Sequence, residues 1–466
     1  MASNNVGYQD TEAIQRTLTE LQREGYFNDV PEMVWRSGSA INRILRPSSE
    51  IATKENGGLN LQMITKNAFN ARASVNPLDD FKKGRTSKSD IIKLRFNYNS
   101  ETENDFTGID STSSVPLFEM KGGPGAVINI VETATNDVFE TADYLCSVFA
   151  HTDRDAKISQ SSGALKAGMD ADKNYASAPA HSASDTTGSM LCGTGFAIAT
   201  FREGVTVDFY SQAGALVVSE CTIDYVNFEE KSVSFSLTTE SNVANLSTLD
   251  TAFGAEATNV YIADTQGRGF KGGLSEVFKE TYATETDWFG GKDRSLIGNS
   301  HYIPQRSRVG AGTVLLQQTH LDNIAEAMVN RTSGMASDSP VFVAGTKAMR
   351  NLRTSIGDSI VTNEDSATRS GDYTIGNLSV GYIAPGVGHV DLVGDPFARE
   401  AQAILLYPED VMKVHAEFRG PMVLSNTEGT GWDRRPNSKI YDMQMTENVA
   451  MWWNRINRSA AVFNIQ

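Results

Sequence analysis

The histidines, cysteines and carboxylates of this sequence are the residue types that could perform catalysis. A G-x-S-x-G nucleophile turn, a Walker A phosphate loop and an H-E-x-x-H zinc helix are all absent from the sequence. Gly291-Lys292 lacks the upstream glycine of a phosphate loop and is followed by aspartate. The six histidines are scattered, at positions 151, 181, 301, 320, 389 and 415. We therefore predict no catalytic residue, no cofactor-binding residue and no metal ligand, and a protein that is not an enzyme.

One acidic segment begins like a calcium-binding loop. Asp170-x-Asp172-x-Asn174 matches the first three ligand positions of an EF-hand. Tyr175 then stands where the sharp turn needs glycine, and His181 stands where a bidentate glutamate is required. The mismatch predicts a polar loop without calcium.

Two further patterns are weak signals of chemistry. Gly386–Gly388 follows a strand pattern, but no third glycine opens a helix, so a tight turn is favoured over a dinucleotide site. The carboxylate pairs Asp79–Asp80 and Glu229–Glu230 are adjacent in sequence. On strands their side chains would point to opposite faces, which makes them poor partners in acid–base catalysis.

The pair Trp452-Trp453 lies close to Arg455 and Arg458, which suggests two interpretations. The aromatic rings could form a stacking platform for nucleic acid, or they could pack in a core or an interface. The chain has 41 basic and 57 acidic residues, a net charge of −16. That charge disfavours a protein that coats DNA or an anionic membrane, and it favours the core interpretation.

Cysteine content and hydropathy restrict the class of protein further. The three cysteines, Cys146, Cys192 and Cys221, form no C-x-x-C pair and no disulfide framework, so the chain could fold in a reducing cytoplasm. The N-terminal residues are polar and predict no secretory signal. No apolar run approaches 18 residues, so we predict no membrane-spanning segment and no membrane partner.

The first third of the chain is predicted to extend away from any core. Residues 1–72 suggest one short amphipathic helix, from the spacing of Ile14, Leu18 and Leu21, and too few apolar residues for a core. This segment is either a disordered terminus or an arm that orders on a neighbouring subunit. In residues 73–135, alternating patterns at 91–99 and 115–120 predict the two strands of a long hairpin. Such a hairpin is marginal alone in water and needs another surface.

The base of this predicted hairpin is rich in charge. It carries six basic residues, Lys82, Lys83, Arg85, Lys88, Lys93 and Arg95. These side chains form either a solvated face or ion pairs with an acidic neighbour. Residues 1–136 have a net charge of −2 and the remainder −14, which suits an N-terminal third that docks on an acidic body.

The rest of the chain mixes helices and strands without regular alternation, which predicts the α+β class. A helix is predicted over 136–158, and short β-branched runs over 195–280 predict an inserted β-domain. A second helix is predicted to end at Gly334. A buried strand at 341–344, a turn at Gly345 and a helix at 346–356 follow.

Several segments, in this order, resemble the major capsid protein of tailed bacteriophages, which has the Hong Kong 97-type capsid fold. PVFVAGTKAMRNLR (340–353) resembles the strand, turn and helix of the family's axial domain. VGYIAPGVGHVDLVGDPF (380–397) and the strands after it resemble the closing strands of the family. The β-rich segment 195–280 resembles a small insertion found in many members.

The resemblance implies a division of the chain. The expected parts are an N-terminal arm (1–72), an extended hairpin loop (73–135), a peripheral domain with a spine helix (136–194), an inserted β-domain (195–285), a continuation of the peripheral domain (286–335), an axial domain (336–445) and a return strand to the peripheral domain (446–466).

The resemblance also implies a function. The chain is expected to be the major capsid (head) protein of a tailed double-stranded DNA phage, which assembles in the host bacterial cytoplasm as pentamers and hexamers into an icosahedral shell around the genome. The implied partners are further copies of the chain, portal and scaffolding proteins, and decoration proteins. Packaged DNA is expected to make weak, non-specific contacts, because an acidic wall does not bind phosphates.

Two alternative functions stay open at this point. One is a glycan-binding virion surface or decoration protein that acts through the β-rich insertion. The other is an acidic hydrolase whose aspartate, glutamate and histidine residues are paired only by the fold. A glycan array and a panel of esterase and glycosidase substrates would separate these from a shell protein.

Overall fold

The computed structural model describes most of the chain from residue 130 onward and shorter pieces before it. The described residues are 39, 41, 46–47, 53–55, 58–66, 89–97, 105–116, 130–255, 257–282, 293–309, 314–331, 340–356, 380–384, 386–415, 422–423, 432–434 and 440–465. The helix predicted from Ile14 to Leu21 and the side chains of the basic cluster at 82–95 lie outside them. No helix in these described ranges is long and apolar enough to cross a membrane.

The described residues fall into two compact units, each built from separate stretches of the chain. The first unit comprises the described residues within 109–145 and 420–447. The second comprises those within 37–108, 146–419 and 448–466.

A six-stranded sheet forms one core of the second unit. In spatial order its strands are β12 (Gln305–Arg308), β21 (Ala460–Phe463), β16 (Gln402–Leu406), β13 (Val341–Ala344), β15 (Gly388–Gly394) and β14 (Val380–Ala384). All four residues of β13 are buried, as expected for a strand in the middle of a sheet. Strand β13 pairs parallel with β15 and antiparallel with β16.

Two helices cover this sheet, α4 (Gln318–Arg331) and α5 (Thr346–Ile356). The buried residues of α5, Ala348, Met349, Leu352 and Ile356, recur at helical spacing and share one hydrophobic cluster with Phe342. The predicted strand at 341–344 and helix at 346–356 are confirmed residue for residue. Residues of both helices share one hydrophobic cluster with the strands of this sheet.

A closed six-stranded barrel follows helix α1 (Ile130–His151). Its strands are β6 (Ser159–Lys166), β7 (Thr187–Cys192), β8 (Thr206–Tyr210), β9 (Leu216–Asn227), β10 (Ser232–Leu237) and β11 (Asn259–Ile262), closed in the order β10-β7-β6-β11-β8-β9. A short helix, α2 (Ser247–Ala255), precedes β11, and another, α3 (Leu274–Val277), follows it. Phe209 and Phe235 lie inside the barrel with their ring centroids 4.7 Å apart, and both side chains are completely buried.

The barrel and helix α1 differ from the predicted elements at three boundaries. The predicted insertion began at 195, but β6 and β7 already belong to the barrel, so its strands run from Ser159 to Ile262. Serine and glycine are common in β6 and β7 and give little β signal, so pairing with neighbouring strands, rather than propensity, makes them strands. Helix α1 begins at Ile130 rather than at 136, and ends at His151 rather than at 158.

A second correction concerns the partner of the strand at 89–97. Strand β4 (Ser89–Asn97) pairs antiparallel with β3 (Gly58–Lys66) over nine residue pairs, and β2 (Thr53–Glu55) pairs with β3. The predicted pairing of 91–99 with 115–120 is therefore wrong, and part of the segment assigned to the arm is a strand of the hairpin. Alternation of apolar and polar residues identifies a strand, but not the strand it pairs with.

The closing residues form two strands rather than one. Strand β20 (Ile440–Trp453) is followed by β21, which belongs to the six-stranded sheet, so residues 446–466 contain parts of two strands. In the second unit, β20 pairs with β17 (Val411–His415), and β17 pairs parallel with β1 (Arg46–Pro47). In the first unit, β20 pairs with β18 (Met422–Val423) and β19 (Trp432–Arg434). Strand β5 (Thr107–Pro116) also pairs with β20.

Candidate functional site

A buried cluster joins three distant parts of the chain around the carboxylate of Asp395. Ser39 Oγ donates to Asp395 Oδ2 at 2.8 Å, and the backbone N–H of Ile41 donates to the same oxygen at 3.1 Å. His151 Nε2, at the end of α1, lies 3.1 Å from Asp395 Oδ2 and 3.1 Å from Ser39 Oγ. The backbone N–H of Phe397 donates to Asp395 Oδ1 at 2.9 Å. We call this group, residues 39, 41, 151, 395 and 397, the Asp395 clamp.

The residue types of the clamp are those of a hydrolase triad, but their geometry is not. In a triad, one ring nitrogen of histidine contacts the serine and the other contacts the aspartate. Here Nε2 of His151 contacts both oxygens, and Ser39 donates its hydrogen directly to Asp395. Ser39 is 1% exposed and Asp395 0% exposed, so no substrate reaches them. Because the hydroxyl hydrogen is already engaged, Nε2 carries a hydrogen that both oxygens share, and the cluster can hold segments together but not activate a nucleophile.

The charge of Asp395 is stabilised inside the protein. Burial acts to raise the pKa of this carboxyl, but the charge of His151 and the hydrogen bonds from His151, Phe397 and Ile41 lower it overall. A carboxyl with a lowered folded-state pKa contributes stability above its ordinary pKa range and loses it as the pH falls through the lowered value. At neutral pH the Asp395 carboxyl is therefore ionised and accepts all the hydrogen bonds of the clamp.

The loop after Asp395 also contacts the barrel. Lys231 at the β9–β10 turn forms an ion pair with Glu400, and the backbone N–H of Glu400 donates to Gly195 at 3.2 Å. The guanidinium of Arg399 lies over the ring of Phe196, 5.2 Å from its centroid. Residues 395–400 thus connect the clamp on one side to the barrel on the other.

The barrel is strongly acidic. Residues 159–262 contain four basic and twelve acidic residues, a net charge of −8, which is half of the net charge of the whole chain. A surface of this sign repels the phosphates of DNA. Both ends of the barrel lie together, since the N–H of Ile158 donates to Val260 at 3.0 Å, as expected for an insertion.

The tryptophan pair belongs to the core, as the charge argument indicated. Trp452 is 1% exposed and Trp453 2% exposed, so the interpretation as a stacking platform for nucleic acid is wrong. Trp453 Nε1 donates to the carbonyl of Gly272 at 2.8 Å, and its ring meets the ring of Phe278 edge to face at 5.4 Å. Trp452 Nε1 donates to Asn454 Oδ1 at 3.1 Å.

Arg458 is engaged in a buried ion-pair group rather than free for a ligand. Its Nη2 donates to Glu409 Oε1 at 2.6 Å, and its guanidinium lies over the ring of Tyr407 at 4.5 Å. Arg458 Nε lies 3.2 Å from Asp410 Oδ2, close enough for an ion pair but without hydrogen-bond geometry. Burial raises the pKa of Asp410 to about 6, against the lowering effect of Arg458 and Arg455.

The remaining sequence signals have structural explanations. Asp170 caps a turn: its Oδ1 accepts from the N–H of Asn174 at 2.7 Å, and Lys173 within the turn has a positive φ of 64°. Gly386 and Gly388 have φ of 78° and 88° in the β14–β15 turn, which confirms the tight turn. Among the described residues, no group of three or more histidine, cysteine, aspartate or glutamate side chains could hold a metal ion.

The carboxylate pairs do not form an acid–base site in the described part of the chain. Glu230 lies at the β9–β10 turn, where its carboxylate accepts from the N–H of Tyr175 at 2.5 Å. The N–H of Glu229 donates to Asn227 Oδ1 at 3.0 Å. Asp79–Asp80 lies outside the described residues.

Sequence reasoning missed the clamp altogether. Ser39, His151 and Asp395 are separated by 112 and 244 residues, and each stands in an ordinary local context. No spacing rule covers such separations, so only the fold could bring them together.

Two of the buried thiols should be unreactive. Burial raises the pKa of Cys192 and of Cys221 to about 12, and the thiolate is the reactive form. We expect iodoacetamide at about pH 8 to leave both cysteines unmodified in the folded protein and to modify both after unfolding in guanidinium. Peptide mass spectrometry measures this. Modification of Cys192 in the folded protein at the rate seen after unfolding would contradict the prediction.

The chain as a whole is similar to solved capsid structures. A chain of the cyanophage A-1(L) capsid asymmetric unit superposes with a TM-score of 0.51 at 10% sequence identity, covering 96% of this chain and 98% of that one. The capsid chain of Ralstonia phage GP4 gives a TM-score of 0.44 at 8% identity and 95% coverage of each chain. The SrpI encapsulin of Synechococcus elongatus PCC 7942 gives 0.42 at 8% identity, covering 96% of this chain and 95% of that one.

No family model and no curated protein matches the sequence. The likeness to the cyanophage capsid chain concerns the fold, and it extends over nearly the full length of both chains. The predicted α+β class and the predicted Hong Kong 97-type capsid fold are therefore confirmed. The finer division into arm, hairpin loop, peripheral, axial and inserted domains remains a prediction.

Proposed function

We propose that this protein is the major capsid protein of a tailed double-stranded DNA phage and assembles as pentamers and hexamers into an icosahedral shell. The observation that carries the proposal is the fold shared with the cyanophage capsid chain over 96% of this chain. The protein would be a virion component, and its main partner would be further copies of itself. Portal, scaffolding and decoration proteins are further partners under this proposal.

Exposed apolar side chains support self-association. Ile297 is 93% exposed, Leu296 next to it 56%, and Ile383 on β14 62%. Contiguous apolar surface left in water marks places that another protein covers, and Leu296 and Ile297 are adjacent in the chain. In a shell, the neighbouring subunits would provide that cover.

The charge distribution supports weak contact with the packaged genome. The barrel has a net charge of −8 and the whole chain −16. Each lysine or arginine that contacts a phosphate adds affinity, and a wall that bound DNA tightly would hinder packaging. We infer that any contact with DNA is weak and non-specific.

Electron microscopy of the purified protein tests the proposal. We expect negatively stained samples to contain uniform icosahedral shells, tubes or rings of five and six subunits, and light scattering to give masses far above the 50.6 kDa monomer. A monodisperse monomer at high concentration would count against a shell protein. Tight binding of duplex DNA at physiological salt would count against the inferred role of the acidic surface.

A further inference from the structure

The Asp395 clamp has two sets of donors that come from different parts of the protein. Two donors to the carboxylate, the Ser39 hydroxyl and the Ile41 N–H, belong to the segment 39–41. The other two, His151 and the Phe397 N–H, belong to the body of the second unit. Without the segment 39–41, the Asp395 carboxylate would therefore keep only two of its four hydrogen-bond donors.

Release of the segment would be costly for this reason. A buried carboxylate that loses two of its four donors keeps its charge without the hydrogen bonds that compensate for burial. Ile41 is 1% exposed, so release would also bring an apolar side chain into water. Both effects favour the bound segment.

The chain is fixed a second time a few residues later. Strand β1 pairs parallel with β17, with Arg46 opposite Met412 and Pro47 opposite Lys413. The clamp and this strand pair hold the chain at 39–41 and at 46–47.

We propose that the Asp395 clamp is a lock that holds the segment 39–41 against the body, and that closing this lock is required for regular assembly. The inference rests on the proposed function, because a shell needs each copy to present the same surface to its neighbours. With the lock open, the segment 39–41 would take different positions in different copies. Contacts between copies would then no longer repeat.

The structure offers a matched control for the test. His389 and Asp391 form another histidine–aspartate pair, with Nε2 and Oδ1 3.0 Å apart, on strand β15. Their side chains are 45% and 38% exposed, so this pair is not a buried lock. Asp391→Asn makes the same chemical change as Asp395→Asn at an exposed site.

The experiment compares the full-length wild type with Asp395→Asn, Ser39→Ala and Asp391→Asn. The amide hydrogen exchange rate of peptides spanning residues 39–47 measures, in unassembled protein, how firmly the segment is held. Electron microscopy shows whether the protein assembles. We expect exchange at Ile41 to become about tenfold faster in Ser39→Ala and faster still in Asp395→Asn, with irregular particles in place of uniform ones. Asp391→Asn should match the wild type in both measurements.

The two readouts separate the lock from the proposed function. If exchange rises at 39–47 while no variant and no wild-type protein assembles, the lock stands and the shell proposal fails. If Asp395→Asn exchanges rapidly throughout the second unit, that variant is unfolded, and the test of the lock then depends on the milder Ser39→Ala variant. Wild-type exchange at 39–47 in Ser39→Ala, or regular shells from a variant with rapid exchange there, would overturn the proposed lock.

Discussion

Replacing Trp453 by alanine is expected to lower the free energy of unfolding by about 3–5 kcal/mol, the range for large aromatic residues removed from cores. Trp453 is 2% exposed, and it is one of the largest side chains that are buried to this degree. Its removal would leave a cavity beside Phe278, whose ring contacts it edge to face. It would also leave the carbonyl of Gly272 without the indole N–H that donates to it.

The backbone around this tryptophan cannot easily adjust to fill the cavity. Gly272 has a φ of 86°, and a Cβ placed on it would lie 2.5 Å from the carbonyl oxygen of Met451. The backbones at Gly272 and Met451 are therefore already in contact at this point. Little collapse is available, so we expect a cost in the upper half of the range.

Urea unfolding of dissociated subunits, followed by circular dichroism, measures the effect. Trp453→Phe is the matched control, because it keeps an aromatic ring in the core and removes the indole N–H. We expect this control to lose about 1–2 kcal/mol, the cost of one buried hydrogen bond with a small cavity. A loss below 1 kcal/mol in Trp453→Ala would show that the site is not a packed core.

Removal of the Arg458 guanidinium is the second change with a large expected effect. Arg458→Ala would leave Asp410, which is 4% exposed, without its closest cation, and would remove the ring contact with Tyr407. Breaking a buried ion pair by removing one partner costs about 3–5 kcal/mol, because the remaining charge is uncompensated. We expect a loss in this range near neutral pH.

This loss should depend on pH. Burial already raises the pKa of Asp410 to about 6 in the wild type, and loss of Arg458 removes one of the charges that lower it. A carboxyl whose folded-state pKa lies above its unfolded value takes up a proton in the folded state first as the pH falls. The deficit of Arg458→Ala should therefore be smaller at about pH 5 than at about pH 8, because the protonated carboxyl no longer needs a cation.

An exposed ion pair elsewhere in the second unit provides the control. Arg308 on β12 lies 3.5 Å from Glu280, and their side chains are 54% and 46% exposed. Exposed pairs contribute about 0–1 kcal/mol, so Arg308→Ala should stay within about 1 kcal/mol of the wild type at both pH values. Equal deficits for Arg458→Ala at the two pH values would argue against an uncompensated charge on Asp410.

Local sequence patterns predicted some elements to the residue. The strand Val341–Ala344 is a run of four apolar residues, and the helix Thr346–Ile356 places its buried residues at helical spacing, so each element is specified within a window of about ten residues. The core position of Trp452-Trp453 also followed from the sequence, through the acidic composition of the chain.

Other features had no local signal. Strand β4 was recognisable from its alternation, yet its partner proved to be β3 rather than the segment that follows it. Strands β6 and β7 are rich in serine and glycine and became strands only because the barrel closes through them. The clamp joins Ser39, His151 and Asp395, each of which is unremarkable in its own segment.

The sequence by itself determined the α+β class, the individual strong helices and strands, the acidic surface and the buried position of the tryptophans. Periodicity and composition act over a few residues, so they need no knowledge of the rest of the chain. Only the tertiary structure decided which strands pair, where the barrel begins, and that one carboxylate holds the segment 39–41 to the body. Those choices depend on the free energy of contacts between residues that lie from 23 positions apart (Lys66 and Ser89) to 356 positions apart (Ser39 and Asp395), which no short window of sequence contains.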